Sequence, residues 1–345
     1  MTLVDLVERF AEEESSQPRP RCTVQGTAFA LGLPPIAYEV CGPEGAPAVV
    51  VLGGISASRH VTANELDDRP GWWEGTVGAR GAIDTDRFRV VGINWATSVR
   101  RAADHDPLDA TVTTFDQARA VCAVLDEIGI ESAHAVVGAS YGGMVALAFA
   151  ARFPTRAHRI LVIGAAHESD PMTTTLRAIQ RRIVALGEKA GAAAEGVALA
   201  RALAMTTYRT RAEFAGRFSN RPLSTDEGIT FPAEEYVIAR GRDYAARTTP
   251  DVFRALTLSL DLHSVRPEDI TVPTTLIGVL EDQLVPIEKI RELSQRIGGE
   301  ATLIELTSIH GHDSFLNASD QMAPFITSAL GEPALSSSRT FATLQ

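Results

Sequence analysis

The sequence predicts an α/β protein: a mostly parallel, doubly wound sheet with an inserted helical lid. Three observations carry that expectation. Short runs that are apolar throughout, such as Ala48-Val-Val-Val-Leu52 and Arg159-Ile-Leu-Val-Ile163, read as strands buried on both faces. They alternate with helical patterns, as in a sheet wound by crossover helices. From about residue 168 to residue 262 the alternation stops and Ala-rich helical runs take over. The chain of 345 residues suffices for one such domain carrying an insertion.

Taken in order, residues 1–20 are acidic and then Ser/Pro-rich, which suggests a short amphipathic helix and a loose connection. Residues 21–167 and 263–331 make up the core, 168–262 the lid, and 332–345 a Ser/Thr-rich tail expected to fray. From Cys22 to Cys41 two β-prone stretches flank Gly32-Leu-Pro-Pro35, the pattern of a hairpin. The strand Ala48–Leu52 ends in Gly53-Gly54-Ile55-Ser56, and a second strand, Phe88–Ile93, ends at Asn94-Trp95. Thr114-Phe-Asp-Gln117 fits a capping box for a helix reaching about Ile128, with Ala118, Val121, Cys122 and Leu125 on its apolar face.

Ala133, Ala135, Val136 and Val137 then form a strand, and Met144–Ala151 a helix packed close to it. Between them stands G-x-S-x-G, spelled Gly138-Ala139-Ser140-Tyr141-Gly142. A strand that turns at once into a helix forces its middle residue into a strained conformation and lifts the hydroxyl above the sheet. The small flanking residues let strand and helix approach each other. In the lid, Leu176, Ile179, Ile183 and Leu186 recur at helical spacing, as do Val197, Ala200, Leu203 and Ala204. Strands Thr274–Leu280 and Ala301–Leu306 bracket a helix near Ile287–Ile297, and a last helix covers Ala318–Leu330.

A net charge of −11 argues against a nucleic-acid or anionic-membrane surface. Cys22, Cys41 and Cys122 are odd in number and far apart, which suits a reducing compartment and offers no thiolate metal site. No apolar stretch approaches bilayer length, and Leu3-Val-Asp-Leu-Val-Glu lacks the basic start of a signal peptide. A cytoplasmic protein is expected. No metal cluster, phosphate loop or dinucleotide fingerprint is present, so the chemistry rests on side chains alone, with no metal and no resident cofactor.

A serine nucleophile needs a base, and the base an orienting carboxylate, in the order Ser, Asp or Glu, His on such a sheet. The strand Thr274–Leu280 is followed by Glu281-Asp282, and the strand Ala301–Leu306 by Thr307-Ser-Ile-His310-Gly-His312-Asp313. By position alone either Glu281 or Asp282 supplies the carboxylate, and either His310 or His312 the base. The oxyanion hole is expected from the N–H groups of Tyr141 and of Ile55, in the Gly-rich loop after Leu52.

Several segments together resemble the homoserine O-acyltransferases of the α/β-hydrolase superfamily. Gly71-Trp-Trp-Glu-Gly-Thr-Val-Gly78 with Ala82-Ile-Asp-Thr-Asp86 resembles that family's tryptophan-pair signature. Ser140-Tyr-Gly-Gly-Met144 resembles its S-M-G-G-M elbow, with Tyr141 in place of methionine. Asp282-Gln-Leu-Val-Pro286 and Gly311-His-Asp-Ser-Phe-Leu316 are similar to its D-x-L-F-P and G-H-D-A-F-L. The likeness runs from about residue 36 to residue 330 and implies the α/β-hydrolase fold, with Asp282 and His312 as the triad partners. It further implies that Arg201, Tyr208 and Asp313 hold the amino acid L-homoserine, and that the chain forms a homodimer. Acyl-CoA would be a co-substrate, either succinyl-CoA or acetyl-CoA, in methionine biosynthesis.

The loop Gly53-Gly-Ile-Ser-Ala-Ser-Arg59-His60 lacks the acidic residue typical of acetyl-transferring members and carries Arg59, which favours a succinyl group. The alternatives on the same triad are a homoserine O-acetyltransferase, a serine O-acyltransferase and a plain esterase.

Overall fold

Uninterrupted apolar runs build the centre of the molecule. The computed structural model describes residues 22–100, 111–225 and 228–331. The 1–20 segment and the 332–345 tail named above lie outside the described residues. The first half contains β1 (Cys22–Ala28), β2 (Ile36–Cys41), β3 (Ala48–Leu52), the two-residue strands β4 (Val77–Gly78) and β5 (Ile83–Asp84), and β6 (Arg89–Ile93). Then come α1 (Thr114–Glu127), β7 (Ala135–Ala139), α2 (Tyr141–Arg152) and β8 (Ile160–Ile163). Helices α3 (Pro171–Lys189), α4 (Ala193–Tyr208) and α5 (Arg211–Arg217) follow, then strands β9 (Leu223–Thr225) and β10 (Gly228–Thr230), then α6 (Pro232–Ala245) and α7 (Pro250–Asp261). The chain returns through β11 (Thr274–Val279), α8 (Ile287–Arg296), β12 (Ala301–Leu306), α9 (Ser314–Asn317) and α10 (Ser319–Leu330).

Eight strands form one sheet in the order β1-β2-β6-β3-β7-β8-β11-β12. Only the β1–β2 and β2–β6 pairings are antiparallel, and every pairing from β6 to β12 is parallel. The C-terminal ends of β3, β7, β11 and β12 therefore point the same way, and the loops after them share one edge. All residues of β3 and β7 are buried, as unbroken apolar runs require when helices cover both faces. No helix among the described residues is long and apolar enough to cross a membrane.

Two local expectations shift. The capping box lies one residue earlier: Thr113 Oγ1 accepts from Asp116 N and Asp116 Oδ2 from Thr113 N. Aspartate closes the box there, which frees Thr114 to bond His263 Nδ1 at 2.9 Å and Gln117 to bond Ala96 and Tyr141. On α3 the apolar stripe is not the buried one: Ile179 is 46% and Leu186 69% exposed, whereas Thr173, Gln180 and Val184 are buried. The helix turns a polar face inwards because it covers a polar cleft. The last helix, Ser319–Leu330, lies where expected after the short helix Ser314–Asn317, and the helical stretch also holds an exposed hairpin, β9–β10.

The helices over the sheet pack through small residues. A Cβ on Gly187 would stand 2.7 Å from Gly196 Cα, and one on Gly241 would stand 2.3 Å from Ala198 O. Val184, Val197, Ala200, Tyr244 and Phe253 form a core of their own among these helices.

Candidate active site

The strand-to-helix turn from β7 to α2 places Ser140. Its backbone adopts φ 54° and ψ −120°, a region that costs a side-chain-bearing residue about 1–3 kcal/mol. Crowding maintains it. A Cβ on Gly138 would lie 2.1 Å from Gly142 O, and one on Gly142 would lie 2.1 Å from Leu52 O. Ser140 N donates to Ile163 O at 2.8 Å, and Gly142 N donates to Gly53 O at 2.8 Å, so neighbouring strands hold the turn from both sides.

Loops from β11 and β12 meet at this serine. His312 Nε2 lies 2.8 Å from Ser140 Oγ, and His312 Nδ1 lies 2.7 Å from Asp282 Oδ2. The other oxygen of Asp282 accepts the N–H groups of Leu284 at 2.8 Å and Val285 at 3.0 Å, which fixes the carboxylate plane. Glu281 points away and accepts Ser308 N at 2.9 Å, while His310 takes no part. Burial disfavours the imidazolium of His312, but the charge and hydrogen bond of Asp282 outweigh it, so its pKa lies above the ordinary histidine value.

Behind the serine, the loop after β3 is held by indoles. Trp95 Nε1 donates to Gly54 O and Trp72 Nε1 to Ser58 O, each at 3.0 Å. Trp72 stacks on Trp73, whose Nε1 donates to Phe315 O at 2.7 Å, and Phe315 meets His312 edge-on. The two N–H groups expected to stabilise an oxyanion, those of Ile55 and Tyr141, donate to no backbone carbonyl among the described residues. The Tyr141 ring is fully buried beneath Trp95, its hydroxyl bonded to Gln117 and Ser259, and burial raises its pKa. It faces the core rather than the cleft.

Above Ser140 opens a cleft lined by Gly54, Ile55 and Ser56 and by residues of α3 and α4. Arg201, Tyr208 and Asp313 all line it. The Arg201 guanidinium lies between the rings of Tyr208 and Tyr244, 4.9 and 4.8 Å from their centroids, and Nη1 donates to Tyr208 OH at 3.0 Å. Arg201 has no ion pair among the described residues. Asp313 Oδ2 is paired with Arg209 Nε at 3.1 Å, a partner that the sequence reading missed. Burial raises the Asp313 pKa against the opposing charges of His312 and Arg209.

Arg59 is not among the residues that line the cleft. Its N–H donates to Asn94 Oδ1 at 2.8 Å, and the adjoining His60 is held by Glu39 and by Arg69 O, so the chain is drawn over the sheet edge. The cations that do line the cleft besides Arg201 are Arg177 and Lys289. Arg177 went unnoticed because α3 was read by its apolar stripe. The repeat Thr173, Arg177, Gln180, a polar face at helical spacing, was the available signal.

Comparison with known proteins agrees with this geometry. Residues 47–317 match a family described as the alpha/beta hydrolase fold. The chain is 41% identical over 293 residues to a homoserine O-succinyltransferase of Xanthomonas campestris pv. campestris, covering 85% of this chain and 78% of that protein. The chain belongs to the homoserine O-acyltransferase family. A serine O-succinyltransferase of Litchfieldella anticariensis is 32% identical, over 86% of this chain and 92% of that protein. Among solved structures, a homoserine O-acetyltransferase from Bacillus anthracis superposes with a TM-score of 0.77 at 18% identity, covering 92% of this chain and 99% of that one. At that identity the likeness concerns the fold. Tyr141 stands at the elbow where the sequence resemblance expects methionine. The departure is absorbed in the core, because the hydroxyl finds partners on α1 and α7.

Proposed function

We propose that the protein transfers an acyl group, succinyl in preference to acetyl, from acyl-CoA to the γ-hydroxyl of L-homoserine through an acyl-Ser140 intermediate. The observation that carries this reading is one cleft holding both a nucleophile–base–carboxylate relay and, opposite it, an arginine without an ion pair. Ser140 Oγ attacks the thioester carbonyl while His312 Nε2 takes its proton, with Asp282 orienting the ring. The N–H groups of Ile55 and Tyr141 stabilise the oxyanion. The C–S bond breaks, and the CoA thiolate leaves with the proton from His312. Homoserine then enters with its carboxylate on Arg201 and Tyr208 and its ammonium towards Asp313. His312 takes the γ-hydroxyl proton, the alkoxide attacks the acyl-serine, and the ester bond to Ser140 breaks with return of that proton.

The helices over the cleft exclude the water that would otherwise hydrolyse the acyl-serine. The relative named homoserine O-succinyltransferase supports both the acceptor and the donor. The relative named serine O-succinyltransferase makes serine the competing acceptor, shorter by one methylene. The test is CoA release from succinyl-CoA and acetyl-CoA with homoserine or serine present. Acceptor-dependent release supports transfer. Release that ignores the acceptor marks a hydrolase, and no release with either acceptor refutes the reading. O-acylation turns the γ-hydroxyl of homoserine into an ester whose carboxylate can leave, which suits a following displacement at the γ-carbon by sulfur in methionine biosynthesis.

A further inference from the structure

The cleft wall carries three cations, Arg177, Arg201 and Lys289, and three carboxylates, Glu168, Asp170 and Asp313, which are not all matched to one another. Homoserine has one carboxylate, and Arg201 is placed for it. Lys289 is already paired with Glu168 at 2.5 Å. Asp170, also at the cleft, caps α3 through the N–H groups of Met172 and Thr173. Arg177 is different. Its Nε bonds Asp261 Oδ1 at 2.5 Å, and its Nη2 donates to Ser169 Oγ and, at 3.2 Å, to Thr173 Oγ1. Its Nη1 has no hydrogen-bond partner among the described residues.

Asp261 must also serve Arg181, whose Nη2 lies 2.7 Å from Oδ2. Two guanidiniums thus share one carboxylate, all three side chains being at most 16% exposed. The cluster keeps a net positive charge in a poorly solvated wall, and Arg177 is its member at the cleft. That charge reaches the reacting centre, since it opposes protonation of His312.

We propose that Arg177 receives the terminal carboxylate of a dicarboxylic acyl donor, making it the residue that selects a succinyl over an acetyl group. This rests on the acyl-transfer reading above. A succinyl chain carries its carboxylate three bonds beyond the carbonyl that Ser140 attacks. A guanidinium held on its other edges by Asp261, Ser169 and Thr173 is preorganised to accept that charge without rearranging. Acetyl would leave the charge uncompensated, which turns the same cluster into a penalty against the shorter donor. Arg201 and Arg177 then divide the two carboxylates of the reaction between acceptor and donor.

The experiment measures kcat/KM for succinyl-CoA and acetyl-CoA with saturating homoserine, in the wild type, Arg177→Met and Arg177→Lys. Thermal melts verify folding, and intact mass follows the acyl-enzyme. In Arg177→Met, the ratio of succinyl-CoA to acetyl-CoA efficiency is expected to fall about 100-fold, the worth of a charge-assisted pair. Arg177→Lys, which keeps the charge and loses the bonds that Asp261, Ser169 and Thr173 use to hold the guanidinium, should fall between the two. Equal loss with both donors would make Arg177 a structural or CoA-contacting residue and overturn the proposal, as would an unchanged ratio. A wild type that acylates homoserine only from acetyl-CoA also overturns it while leaving acyl transfer intact. A wild type inactive with both donors refutes the acyl-transfer reading itself.

Discussion

Trp73 donates its indole N–H to the carbonyl of Phe315 at 2.7 Å, joining residues 242 apart in sequence and fixing the loop that presents His312. Trp72, stacked on Trp73, holds the loop of Ile55 through Ser58 O. The tryptophan pair therefore sets the oxyanion loop and the base relative to one another. Trp73→Phe leaves Phe315 O unpaired and a void beside it, and is expected to cost about 2–4 kcal/mol in urea unfolding. Because His312 loses its support, kcat should drop while KM for homoserine changes little. Equal effects on both would mean that the pair serves stability alone.

Ser140 stores backbone strain for the sake of its position. Ser140→Ala should lower turnover by about 10⁶-fold, as loss of a serine nucleophile does, and eliminate the acyl-enzyme seen by intact mass. Ser140→Gly is equally inactive but adopts φ 54° without penalty. It is expected to be more stable than Ser140→Ala by about 1 kcal/mol, read as a higher melting temperature. A glycine variant less stable than the alanine one would show that the turn is not strained.

The raised pKa of His312 gives the pH dependence a sign. The base must be neutral to take the serine proton, so kcat/KM should rise with pH through an apparent pKa above the ordinary value of about 6.5. Asp282→Asn removes the charge that raises it and leaves burial dominant. The limb then moves to lower pH, while the rate falls about 10⁴-fold. For stability the raised folded pKa means that the His312–Asp282 pair contributes fully below about pH 6.5. That contribution fades as pH climbs through the folded value. A limb that stays in place in Asp282→Asn would contradict this assignment.

Arg201 lies between two tyrosine rings, so its charge and its plane are both fixed. Arg201→Lys retains the charge but loses the stacking and the bond to Tyr208. A rise of about 10–100-fold in the homoserine KM is expected, with the loss falling on the second half-reaction. Rapid-mixing mass spectrometry separates the halves. Slower acylation of Ser140 in this variant would place Arg201 on the donor side instead.

Much of this arrangement was legible in the chain because it depends on local spacing. The buried strands are unbroken apolar runs, and G-x-S-x-G announces its strained turn by its glycines. Glu281-Asp282 and His310-Gly-His312 follow strands β11 and β12, the family resemblance chose Asp282 and His312 among them, and the sheet brings those loops to Ser140. Arg59 is not among the residues lining the cleft, and adjacency in sequence to the Gly-Gly loop says nothing about which way the loop turns. The anchors that turn it, Asn94, Glu39 and Arg69, come from distant or separately folded segments. Distance in sequence also hid the partners of Arg177 and Arg209. Their significance lies in Asp261 and Asp313, 84 and 104 residues away. The reading of α3 failed differently, since amphipathic periodicity assumes that the inner face is apolar. Over a polar cleft it is not.

The glycine contacts between α3 and α4, and between α4 and α6, bring main chain against main chain with no side chains interposed as spacers. Such a wall has one closest approach and is already at it. The helices cannot be drawn together to tighten the cleft, and drawing them apart would strip contacts that no side chain can follow. The gauge of the cleft is thereby set by backbone, and discrimination among acceptors one methylene apart falls to the few side chains that project from it.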